Sequence, residues 1–89
     1  MNPPYRTYRW RLTRPSILRR DGYRCQIQLP GCRTIATHVD HIVDWQDGGP
    51  PYDPSNLRAA CKSCNTAQRN QRVAARARAM RHSYNSRTW

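Results

Sequence analysis

The 89-residue chain has no phenylalanine, no glutamate and a single lysine, and only 37% of its residues are hydrophobic. Mean hydropathy is −1.01. This length holds one small domain. With so little apolar material, core packing alone leaves such a domain marginal. A staple is therefore expected, either disulfides or a metal. No long apolar run is present, and none follows Met1-Asn2-Pro3-Pro4-Tyr5-Arg6, so neither a signal peptide nor a membrane span is expected. The expected setting is cytoplasmic, where thiols stay reduced and clustered cysteines read better as metal ligands than as disulfides.

Acid is scarce and confined. Sixteen Lys and Arg stand against five acids, giving a formal charge of +11 and a pI near 10.8. Residues 1–20 carry six Arg and no acid, and residues 54–89 carry seven Arg and Lys62, again with no acid. The five acids (Asp21, Asp40, Asp44, Asp47 and Asp53) lie between. Basic flanks around an acidic centre suit a protein that grips polyphosphate and holds a cation against it. The guanidinium fork matches phosphate geometry, which favours nucleic acid over a plain solvated surface. A GC-rich genome would also enrich Arg, so the bias is not decisive by itself.

The coarse pattern is α+β. Residues 1–12 read as an extended basic arm, anchored by Trp10 and Leu12. Thr13-Arg14-Pro15 reads as a helix start with Pro15 in its first turn. Asp21-Gly22 ends that helix. Tyr23 to Cys32 is a turn-rich loop. Ile35 to Val43 reads as a short strand. Gly48-Gly49-Pro50-Pro51 and Asp53-Pro54 make Asp44 to Ser55 a loop. Asn56 to Ala60 reads as a second short strand. From Lys62 to about Arg81 neither Gly nor Pro occurs, which predicts one long helix. The domain is expected over 13–82, with a flexible tail over 83–89.

Cys25-x6-Cys32 and Cys61-x2-Cys64 are spaced as two knuckles of a four-thiolate zinc site, the second at a turn into a helix. Disulfides would need an oxidising compartment, and a redox Cys-x2-Cys would need a thioredoxin-like context that is missing. Four thiolates leave no open position, so this zinc would be structural.

Interleaved with the cysteines are Val39-Asp40-His41-Ile42, Asn56-Leu57 and Asn65, directly after Cys64. Hydrolysing a phosphodiester needs a base to activate water and a cation to neutralise charge. His41 can be the base at neutral pH. Asp40 and Asn65 offer oxygen ligands that suit Mg²⁺ or Mn²⁺, with Ni²⁺ or Zn²⁺ as softer candidates. Asn56 can fix the His41 ring or pin the loop. Strand neighbours point to opposite faces, so Asp40 and His41 share a site only if the strand ends or bulges there. His38 shares Asp40's face and is a further candidate ligand. Trp45 reads as core packing rather than a stacking surface, and Asp44, Asp47 and Asp53 as turn residues. At 3.6 residues per turn, Asn65, Arg69, Arg72 and Arg76 fall within about 60° of one another. They would form a stripe along a DNA backbone.

Asp-His-Ile at the end of a strand, Asn-Leu before Cys-x2-Cys, and Asn directly after the last Cys together resemble the HNH endonuclease family over about residues 10–72. The resemblance implies a ββα-metal fold with two short antiparallel strands plus helices. It implies that His41 is the general base, oriented by Asn56. Asp40 and Asn65 would be ligands of the catalytic cation, and Cys25, Cys32, Cys61 and Cys64 of structural zinc. The products would carry 5′-phosphate and 3′-hydroxyl ends. The third motif position is Asn65 rather than His, an HNN variant, and Gln68-Arg69 stands where the family often has Lys. Small relatives of this kind are frequent among phage and prophage proteins beside DNA packaging, which implies the host cytoplasm and suggests terminase or portal partners. A single centre cuts one strand, so a monomer should nick double-stranded DNA, and double-strand cleavage would need a dimer or two encounters; a monomer or weak dimer with weak sequence preference is expected. The competing reading is a non-catalytic, zinc-stabilised DNA-binding or assembly module.

Overall fold

The computed structural model describes residues 3–85, with side chains over 3–81. Helix α1 spans Tyr8–Arg20, strands β1 and β2 span His38–His41 and Leu57–Ala60, and helix α2 spans Lys62–Asn85. Single 3₁₀ turns cover Pro4–Arg6, Trp45–Asp47 and Pro54–Asn56. Two antiparallel strands and two helices make up the α+β frame.

The N-terminal segment is not an extended arm. Helix α1 begins at Tyr8 rather than at Thr13, because Thr7 caps it. The Thr7 hydroxyl accepts the Trp10 N–H at 3.2 Å and donates to the Pro4 carbonyl at 2.7 Å. Its one proton being spent there, the Tyr52 hydroxyl donates to it at 2.9 Å. Pro15 therefore lies inside the helix, where proline costs about 3 kcal/mol. Burial on one helical face offsets this: Trp10, Ile17 and Leu18, at i, i+7 and i+8, are all buried. Leu12 lies off that face and is 59% exposed, so it anchors nothing.

Strand β1 is shorter than the Ile35–Val43 expected. Its ladder pairs His38 with Ala60, Val39 with Ala59, Asp40 with Arg58 and His41 with Leu57. Ile35 instead makes an isolated bridge with Arg24. Beyond His41 a side chain replaces the partner strand: Asn56 accepts the Val43 N–H at 2.8 Å and donates to the Val43 carbonyl at 3.0 Å. The amide imitates a backbone partner, and the chain turns away.

Two small clusters hold the body. Trp10, Ile17, Leu18, Ala36, Val39, Leu57 and Ala59 pack between α1 and the sheet. Cys25, Ala60, Cys61 and Cys64 form the second, with Ile27 and Leu29 against it. Trp45 is in neither. Helix α2 starts immediately after Cys61 and would run about 36 Å at 1.5 Å per residue. Its later residues touch little, and Met80 is 74% exposed. It continues to Asn85, into the segment read as tail, while residues 86–89 lie outside the described residues. Among the described residues no helix is long and apolar enough to cross a membrane.

Asp21 joins α1 to β2. Its carboxylate accepts the Ala59 N–H at 2.8 Å and both Arg20 nitrogens at 2.9 and 3.1 Å. The Arg20 guanidinium beside it, and the Ala59 N–H, hold its carboxyl below the usual range against the effect of burial. The joint is therefore complete above about pH 4 and is lost as pH falls through the lowered value. Arg20 is 42% exposed, so the ion pair itself is worth little. The larger cost is a buried Ala59 N–H left without an acceptor. Asp21→Ala should destabilise the fold by about 2 kcal/mol, roughly 10 °C in Tm. Asp21→Asn, which keeps an acceptor, should cost less than half of that in a thermal melt followed by circular dichroism.

Candidate active site

The four cysteines converge as their spacing predicts. Their sulfurs all lie within 4.8 Å of one another, with Cys32 and Cys61 3.9 Å apart. That is far beyond a disulfide bond. It approaches the roughly 3.8 Å between ligand sulfurs around a tetrahedral ion with 2.3 Å metal–sulfur bonds. Backbone N–H groups of Arg33 and Cys64 point at the Cys61 sulfur, and that of Thr34 at Cys32, each at 3.3 Å. Burial raises the Cys61 thiol, but those N–H groups outweigh it and bring it down to about 6. Burial and the neighbouring sulfurs push Cys64 up to about 12. Thiols so crowded cannot all ionise unless a cation balances them. The cluster fits a structural metal ion.

His41 ends β1 and is almost fully buried. Its ring stacks on Trp10 at 5.3 Å and 19°, and the edge of Tyr5 closes on it at 5.9 Å. Nε2 lies 2.9 Å from the Pro51 carbonyl. A carbonyl only accepts, so Nε2 carries the proton and the neutral ring keeps its lone pair on Nδ1. The Asn56 side chain hydrogen-bonds the loop backbone rather than the ring. Its Nδ2 also donates to the Pro50 carbonyl at 3.0 Å, fixing the residue before the one that holds Nε2. Of the two roles expected for Asn56, the geometry has it pin the loop. Gly49 completes the lock: a Cβ there would lie 2.0 Å from the Val43 carbonyl oxygen and 3.0 Å from Asn56 Nδ2.

Asp40 is 3% exposed and doubly paired. Oδ2 accepts from Arg58, its cross-strand partner, at 3.0 Å, and Oδ1 from Arg72 of α2 at 3.1 Å. Arg72 also donates to the His41 carbonyl. A cleft of about 550 Å³ takes in Asp40, His41, Asn65, Arg69, Arg72 and Arg76. The neighbour problem is thereby answered. Ile42 N–H bonds to the Asn56 carbonyl, so the His41 carbonyl points to the other edge of β1, where Arg72 meets it. The cleft runs along an open strand edge, which adjacent residues can share without a bulge. Asp40 and Asn65 present hard oxygen donors to it. A carboxylate has about four lone-pair sites, two of them used here, so the donor set fits a divalent cation completed by water.

The helical stripe is in register, since all three arginines line the cleft with Asn65. They differ in engagement. Arg69 is exposed, Arg72 is held by Asp40, and Arg76 pairs with Asp44 at 2.5 Å and Asp47 at 3.6 Å. Asp44 and Asp53 also cap their 3₁₀ turns, accepting from Gln46 and Ser55. His38 lies outside this cleft, in a smaller recess with Arg14 and Asn65, and its Nδ1 meets the Thr37 hydroxyl at 2.7 Å. Burial, then Arg14 and Lys62, lower its pKa. Trp45, expected in the core, is half-buried in the cleft wall instead, because its 3₁₀ turn is carried on the loop.

The HNH endonuclease family model matches residues 24–71, from before the first cysteine to the middle of the arginine stripe. The chain belongs to the HNH endonuclease family. It is 38% identical to the gene 4 protein of Mycobacterium phage L5 over 73 residues, 81% of this chain and 70% of that one. It is 37% identical to the gene 4 protein of Mycobacterium phage D29 over 57 residues, 63% of this chain and 54% of that one. Among solved structures it resembles the HNH endonuclease of the deep-sea thermophilic bacteriophage GVE2, crystallised with manganese ion. The TM-score is 0.54 at 34% identity, covering 83% of this chain and 78% of that one.

In this HNH chain the motif residues do not act alone. Trp10, Tyr5 and Pro51 shape the surroundings of His41, and Arg58 backs Asp40. The sequence carried a signal for one of them. Trp10, seven residues before Ile17, falls on the same helical face, which is buried once the helix begins at Tyr8. Gly49 offers a direct test of the lock. Gly49→Ala should destabilise by about 3 kcal/mol through overpacking against the Val43 backbone. Thermal melts would read the loss. The His41 Nε2 proton, hydrogen-bonded to the Pro51 carbonyl, should exchange slowly by NMR in the parent and broaden in Gly49→Ala as that carbonyl moves away.

Proposed function

We infer that this protein is a metal-dependent DNA endonuclease with His41 as general base. The observation that carries the reading is the His41 ring, whose Nε2–H is tied to the Pro51 carbonyl in a cleft shared with Asp40, Asn65 and three arginines. That leaves Nδ1 as the proton acceptor. A water proton passes to Nδ1 while the water oxygen attacks phosphorus and the P–O3′ bond breaks; the leaving 3′ oxygen takes a proton from solvent, giving 5′-phosphate and 3′-hydroxyl ends. Asp40 and Asn65 hold the divalent cation, Mg²⁺ or Mn²⁺, which supplies charge neutralisation at the phosphate and leaving oxygen. Arg69 is the exposed phosphate contact, and Arg72 and Arg76 follow it along the helix. The manganese in the GVE2 structure and the oxygen donors of this cleft support the metal assignment. The four thiolates hold zinc, whose role is to set the start of α2.

Double-stranded DNA is the substrate, nicked by a monomer with weak sequence preference. The mycobacteriophage relatives support a phage setting. Packaging proteins such as terminase or portal are the partners this reading would look for first.

Supercoiled plasmid tests the mechanism. With Mg²⁺ or Mn²⁺ the protein should give nicked circles. His41→Ala should lower the rate at least 100-fold with DNA affinity little changed. Cutting that persists in EDTA and in His41→Ala would remove the mechanism. Intact binding with no cutting under any divalent metal would favour the non-catalytic module. The zinc assignment has its own readout. Elemental analysis should find one zinc per chain, and Cys61→Ser should lose it together with most of the α-helical circular dichroism.

A further inference from the structure

Asp40 is held by two guanidinium groups that differ in kind. Arg58 stands opposite it in the sheet register, on the neighbouring strand, and takes Oδ2. Arg72 reaches across from α2 and takes Oδ1, with its other nitrogen on the His41 carbonyl. Arg72 lines the cleft, and 22% of its side chain remains accessible. One cation therefore spans the two adjacent motif residues from the open side. A guanidinium on Asp40 Oδ1 repels a dication approaching that carboxylate. The same fork is well suited to a phosphodiester, with which it can make a bidentate contact.

We propose that Arg72 is a positioning residue that couples DNA to the catalytic cation. In the free protein it clamps Asp40 and the end of β1. When a DNA phosphate enters the cleft, the guanidinium turns to it and yields Oδ1 to a divalent cation. Arg58 keeps Oδ2 throughout, so the buried carboxylate stays oriented and never stands alone. Phosphate and cation thus bind with positive cooperativity, and the free protein holds the cation weakly. This rests on the reading of Asp40 as a cation ligand.

Mn²⁺ binding to the zinc-loaded full chain, followed by electron paramagnetic resonance without DNA, tests it at fixed ionic strength. Arg72→Gln should bind Mn²⁺ about tenfold more tightly than the parent. Arg78→Gln, which removes the same charge farther along the helix, should change affinity less than twofold. Asp40→Ala should lose this site. Arg72→Lys, which keeps a charge but cannot span both acceptors, should fall between and covers the case in which Arg72→Gln folds poorly. The reciprocal measurement is anisotropy of a short, dye-labelled phosphorothioate duplex. Mn²⁺ should tighten DNA binding to the parent about tenfold more than to Arg72→Gln. Equal Mn²⁺ affinity in the parent, Arg72→Gln and Arg72→Lys, with the site still lost in Asp40→Ala, would overturn the coupling and leave Asp40 as a ligand. Undiminished Mn²⁺ binding in Asp40→Ala would remove the underlying reading and the coupling with it.

Discussion

Four sulfurs confined within 4.8 Å decide where α2 begins, and nearly everything else in the cleft follows from that. Cys61 leaves β2 and Cys64 lies in the first turn of α2, so strand end and helix start are one rigid joint. Asn65 is the next residue, its N–H bonded to the Cys61 carbonyl at 2.9 Å. From that fixed origin the helical repeat alone delivers Arg69, Arg72 and Arg76 to the edge of β1. A core this small could not set a 24-residue helix against a two-stranded sheet by packing alone. The joint does so through four atoms, and it makes the geometry of the cleft depend on a site that lies outside it.

The second constraint is the loop between the strands, and it works by amide mimicry. Asn56 uses both ends of its side chain on Val43 and a further proton on Pro50. The loop is closed by three hydrogen bonds from one side chain, and Gly49 makes room for them. What the lock delivers is a carbonyl at Pro51, pointed at His41 Nε2. The tautomer of the His41 ring is thus set by backbone geometry and needs no charged partner. Trp10 supplies the remaining wall, so ring position is fixed from α1 and ring protonation from the loop.

Residues near in sequence, or matched across the chain by their chemistry, were legible, and partners supplied by backbone groups and loop conformation were not. Cys61, Cys64 and Asn65 sit in one short run, and Cys25-x6-Cys32 could be matched to them by chemistry. The stripe of Arg69, Arg72 and Arg76 followed from helical arithmetic. Pro51 as acceptor for His41 depends on a loop conformation that no periodicity encodes. The arm over 1–12 failed for a local reason: Pro15 is a strong start signal, and the weaker Thr7 cap wins because Trp10 must be buried. Asp40 and His41 alternate, but β1 ends at His41, one of the two conditions under which neighbours can share a site. A two-stranded sheet leaves β1 with an open edge, and an edge serves neighbours on both faces.

The same geometry explains how so basic a chain stays folded. Four of its five aspartates are spent on arginines: Asp21 on Arg20, Asp40 on Arg58 and Arg72, Asp44 and Asp47 on Arg76. Each pair stands at a joint, between α1 and β2, between β1 and β2, between β1 and α2, or between the loop and α2. Most of the acid is therefore placed where cationic elements must touch, while Asp53 stays exposed and caps its own turn. Arg69 in the cleft, and Arg78 and Arg81 farther along α2, are exposed and keep their outward charge. A polyanion laid along that helix would relieve the self-repulsion that a charge of +11 imposes on the free chain. Partner binding and fold stability then draw on one pool of arginines, and the aspartates determine which of them stay at home.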